Sequence, residues 1–150
     1  PRLTIGGLLL TLDELSAQEM ELPTGMAGRL AHMRMHFEAL QTKWATAFEK
    51  KAHQELSSRL NLWGAYLDDL AESPRLAEDY PFEVRQRVMI SRLIGVLRQS
   101  ADGVPDARRL SDLDGRLRRM LRRGKFLWDS SLRTAYPWED YWFLYGSPEP

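Results

Sequence analysis

The chain contains no cysteine, which removes disulfides, thiolate metal sites, iron–sulfur ligation and cysteine nucleophiles together. It has no net charge either: 21 Lys and Arg balance 21 Asp and Glu. Global charge therefore points to no particular partner. No apolar run approaches the roughly 20 residues that a membrane span needs. The longest, Leu3 to Leu12, is interrupted by Gly6 and Gly7 and followed by Asp13-Glu14 where a signal peptide would have a small-residue cleavage site. Residues 1–10 are expected to form an N-terminal arm packed on the body, and a cytoplasmic location is the default expectation.

Catalytic signatures are equally scarce. Gly25-Met26-Ala27-Gly28 lacks the Gly-Lys-Ser/Thr ending and the preceding strand of a phosphate loop. No nucleophile elbow occurs, and no histidine is placed to activate a particular serine. The adjacent carboxylates Asp68-Asp69 and Glu139-Asp140 point about 100° apart on a helix and do not converge by themselves. A non-enzyme without a cofactor is expected.

What is present is helix. At 150 residues, 43% hydrophobic and 28% charged, the chain suits one globular domain. Thr11 and Glu14 match a capping box and predict a short helix over about 12–20. From Thr24, the residues Met26, Leu30, Met33, Phe37, Leu40, Trp44 and Ala47 step by four and three, a heptad stripe. Phe48, Ala52, Leu56 and Leu60 then step by four before Trp63, Leu67 and Leu70 resume the alternation. Such a phase shift resembles a stutter in a continuous helix. With no proline between 24 and 72, one long helix of about 70 Å is expected, the alternative being a break near Ser57-Ser58.

A helix over 82–100 has a wide apolar face of Met89, Ile90, Leu93, Ile94, Val96 and Leu97, which suggests a central position. Gly95 within it suggests a close helix crossing. After a turn at Asp102-Gly103-Val104-Pro105, a helix over 106–123 carries the stripe Leu110, Leu113, Leu117 and Met120, and Gly124 ends it. A short helical piece over 129–135 and an aromatic, Pro-rich tail over 136–150 complete the chain. Strand periodicity is nearly absent. The fold class is all-α, an antiparallel bundle built on the long helix with the aromatic segment packed over it.

Three groups of residues could carry function. His32 and His36, at i, i+4, share a helix side and are weak metal candidates, but the only other histidine is His53. Between residues 105 and 126 eight basic residues face three acidic ones. Of these, Arg109, Arg116, Arg119, Arg122, Arg123 and Lys125 are the candidate anion or nucleic-acid surface; the plainer reading pairs them with Asp68, Asp69, Glu72, Glu78 and Asp79. A free row including Arg109, Arg116, Arg119 and Arg123 would favour nucleic acid. Finally, the tail rings Trp138, Tyr141, Trp142 and Tyr145 either close the core or form a partner interface.

A helix longer than its partners leaves apolar stripe to be covered by another chain, so a homodimer is expected. The leading expectation is a non-enzymatic, self-associating interaction or scaffold protein, with no pathway indicated. The alternative is a nucleic-acid-associated protein using residues 108–125.

Overall fold

The computed structural model describes residues 3–98 and 106–149. Among these, the helices are α1 (Ile5–Ala17), α2 (Met26–Lys43), α3 (Ala45–Glu72), α4 (Tyr80–Glu83), α5 (Arg85–Leu97), α6 (Ala107–Met120) and α7 (Trp138–Tyr141). Strands β1 (Leu121–Phe126) and β2 (Tyr145–Pro148) form one small antiparallel sheet. The all-α bundle is as expected, with this sheet added. The expected turn at 102–105 lies outside the described residues, as does the C-terminal end of the helix expected over 82–100.

The expected arm and the Thr11 cap are corrected, because α1 begins at Ile5. Thr4 is the N-cap, its hydroxyl accepting from the Gly7 N–H at 3.2 Å, while Thr11 donates to the Gly7 carbonyl inside the helix. A carboxylate from elsewhere completes the terminus. Glu55 of α3 accepts from the Ile5 and Gly6 amides at 2.8 and 3.1 Å, where the positive end of the helix dipole favours it. Gly6 permits this approach: a Cβ there would lie 2.8 Å from Glu55 Oε1 and 3.1 Å from Met89 Cβ. The close crossing is therefore at Gly6, whereas Gly95 is exposed with nothing near it.

The expected helix over 24–72 divides at Trp44, which adopts φ −117° and ψ 34°, while Ser57-Ser58 lie in unbroken helix. The division is a bend. The Phe37 and Phe48 rings meet edge-to-face at 5.7 Å, although eleven residues of straight helix would separate them by about 16 Å. The change of step at Trp44 is thus a corner between two helices. After it, Ala52, Leu56, Leu60, Trp63, Leu67 and Leu70 are fully buried and pack with Val88, Ile90, Leu93 and Leu97 of α5. The broad face of α5 makes it central, as its width predicted.

α6 stops at Met120, short of the expected 123, and the chain continues as β1. The partner strand is the chain's own end: Leu121 pairs with Pro148, Arg122 with Ser147 and Arg123 with Gly146. Gly146 is required there. Its φ is +146°, and an added Cβ would fall 2.0 Å from the Arg122 carbonyl oxygen. The piece expected over 129–135 is a single 3-10 turn, Ser130–Leu132, with Asp129 accepting from the Ser131 N–H.

One buried charge joins the later elements. Arg87 of α5 donates to both Asp114 carboxylate oxygens at 2.8 Å and to Ser91 at 2.6 Å. Its guanidinium also lies 4.4 Å from the Phe143 ring centroid. Asp114→Ala should destabilise the fold by about 3–5 kcal/mol, because it strands a buried guanidinium. The double change Arg87→Met with Asp114→Leu should recover most of that loss in urea melts. Gly146→Ala should lower the melting temperature by several degrees through the β1–β2 pair, a loss visible by circular dichroism.

Candidate functional site

The arginines proposed from sequence are largely engaged within the chain. Arg109 donates to Asn61 and Arg116 to Asp68, each at 2.6 Å. Arg118 stacks on Trp142 at 3.7 Å and Arg123 on Trp138 at 4.3 Å. Arg122 meets Glu149 at 3.3 Å, both well exposed, a contact of small energetic weight. Arg119 and Lys125 are exposed. The row does not stand as a continuous free surface, since Arg109, Arg116 and Arg123 each have a partner.

The aromatic tail belongs to the core. Trp142, Phe143 and Tyr145 are buried, while Trp138 and Tyr141 are half-buried. Polar handles fix the rings in place. Tyr80 donates its hydroxyl to the Phe143 carbonyl and Tyr145 to that of Tyr136, each at 2.7 Å. The Trp128 indole N–H donates to the Pro81 carbonyl at 2.8 Å, and Tyr136 donates to Asp13 at 3.3 Å. Burial raises the carboxyl of Asp13 despite Arg92, which pairs with it at 2.8 Å.

The histidines do not converge. His32 and His36 are exposed on α2 with ring centroids 6.4 Å apart, and His53 on α3 has its Nε2 buried without a hydrogen-bond partner. Among the described residues no three His, Cys, Asp or Glu side chains gather as metal ligands would.

The unusual surface is α2. Of its stripe only Leu30 is buried and Phe37 half-buried. Met26, Met33, Leu40 and Trp44 are between 44% and 59% exposed, although their spacing is that of core positions. Leu30 and Phe37 turn toward the body, and the row at 26, 33 and 40 lies beside them on the rim. Against that row α1 sets Leu8 and Leu12, and the resulting groove of about 300 Å³ is also walled by His32, His36 and Phe37. A second groove of about 550 Å³ runs between α1 and α3, lined by Leu3, Ile5, Lys51, Leu62 and others, and adjoins the first at Leu8. Sequence reasoning counted Met33 and Leu40 as core and passed over Leu8 as part of an arm. The change of step at Trp44 was the available signal for a corner.

The molecule is thus a helical bundle with a packed aromatic tail and an uncovered apolar row on α2. No known protein family, curated protein or solved structure matches the chain.

Four of the five tyrosines have hydroxyls whose ionisation burial opposes first of all: Tyr66, Tyr80, Tyr136 and Tyr141. Their pKa values are raised in the fold, so the stability they contribute is full below pH 10 and is lost as pH rises above it. In an alkaline titration, tyrosinate absorbance for these rings should appear together with loss of helical ellipticity. Full tyrosinate absorbance in a still-helical chain would contradict their burial.

Proposed function

We propose that this chain is a non-enzymatic interaction protein that docks an apolar helix on the face shared by α1 and α2. The observation that carries this reading is the exposed row Met26, Met33 and Leu40, of which Met33 and Leu40 stand opposite Leu8 and Leu12. Apolar rows of this kind beside a groove are characteristic of helix docking. A cytoplasmic location goes with this reading, supported by the cysteine-free composition. Among the described residues no helix is long and apolar enough to cross a membrane.

Self-association is a second reading, favoured by the stripe itself. The exposed row steps by seven and reads the same in either direction, so α2 can meet a second copy antiparallel, with Met26 against Leu40 and Met33 against Met33. The nucleic-acid alternative has less support, because Arg109, Arg116 and Arg123 are occupied by Asn61, Asp68 and Trp138.

Met33→Glu combined with Leu40→Glu distinguishes a docking face from a core. The variant should melt within about 2 °C of the wild type, as solvent-facing substitutions do. It should also lose most of its binding to a neutral amphipathic helical peptide in anisotropy titrations. A large drop in melting temperature would mean that the row is core, and the docking reading would fail. Light scattering across a wide concentration range tests self-association: one protomer mass throughout excludes it.

A further inference from the structure

Charge around the groove says which kind of helix fits it. Each exposed apolar residue of the α2 row has a cationic or imidazole side chain three positions on: Arg29 after Met26, His36 after Met33 and Lys43 after Leu40. Residues three apart are neighbours on a helix surface, so a basic rim runs parallel to the apolar row. All three rim residues are exposed, and Lys43 Nζ lies over the Trp44 ring at 5.6 Å. Lys51 continues the positive lining in the adjoining groove.

The carboxylates beside the grooves are already engaged. Glu55 holds the α1 amides and Arg59, Asp13 is paired with Arg92, and Glu14 with Arg85. Glu38 is more than a third of a turn around α2 from the row, on the opposite flank. Positive charge at the rim is therefore left for a partner to match.

Resting on the docking reading above, we infer that the occupant is an acidic amphipathic helix of another protein. It presents apolar residues at i, i+3 or i+4, and i+7, flanked by Asp or Glu. The row from Met26 to Leu40 is about 21 Å long, which matches roughly four turns of partner helix. A second copy fits less well, because α2 against α2 brings the two rims bearing Arg29 and Lys43 together, and like charges on such flanks repel. Acidic flanks turn the same rim into complementary pairs and steer the encounter.

The test uses the full chain and two fluorescein-labelled 18-residue peptides with the same apolar face, one flanked by Glu and the other by Lys. Fluorescence anisotropy should show the acidic peptide binding at least tenfold more tightly at low salt, with the preference shrinking as salt is raised. Arg29→Glu with Lys43→Glu should abolish or invert the preference while circular dichroism stays unchanged. Met33→Asp should weaken both peptides. Equal binding of the two peptides would leave the docking face standing and overturn the acidic partner. Binding of neither would overturn both. A chain mass that doubles with concentration, and returns to one protomer on Met33→Asp, would make a second copy the occupant and overturn the inference.

Discussion

The buried guanidinium of Arg87 sets the arrangement of the second half of the molecule. An arginine in a helical core must find a carboxylate and fill its remaining donors, or the fold carries a desolvation penalty of several kcal/mol. Asp114 answers with both oxygens, Ser91 takes a further N–H, and Phe143 offers its ring face. Those groups come from α5, α6 and the segment after α7. Satisfying one charge therefore fixes the position of α6 against α5 and brings the tail over both. With Phe143 held, Tyr80 reaches its carbonyl, and the last residues lie beside the end of α6 as β2.

Placing the tail also decides what becomes of the basic stretch. Trp138 and Trp142, delivered by the tail, receive Arg123 and Arg118 as stacking partners, a favourable use of a weakly hydrated planar cation. Asn61 and Asp68 on α3 take Arg109 and Arg116. The surplus of positive charge in this region is thus part of how α3, α6 and the tail hold together. At the other end of the chain, Glu55 performs a similar office for α1, joining its amides and Arg59 in one cluster. α2 belongs to neither network; Leu30 is its one buried side chain, Phe37 meets Phe48 of α3, and Arg34 contacts Ser16 of α1. That loose seating is what leaves its apolar row available.

Helical class, the centrality of α5 and the burial of most tail rings were legible from periodicity and ring count, because each follows from apolar area that must leave water. Two features were not. The stripes of α2 and α3 both have helical spacing and apolar residues, yet Leu56, Leu60 and Leu67 are buried whereas Met33 and Leu40 are on the surface. Periodicity reports that a face is apolar and is silent about what covers it. Likewise Leu121 to Phe126 has no strand pattern, and its partner lies some 20 residues later in a segment of turn-forming residues.

Local sequence by itself determined the helical character of most of the chain and the absence of thiol chemistry, since side-chain spacing and residue type act within a few turns. Tertiary structure decided the corner at Trp44, the β1–β2 pairing, the engagement of the arginines and the exposure of the α2 row. Each of those depends on groups far apart in the chain meeting in space: Phe37 on Phe48, Arg122 beside Ser147, Arg116 on Asp68 and Leu8 opposite Met33. Contacts of that kind are set by how whole faces compete for the same core, a competition that no single segment encodes.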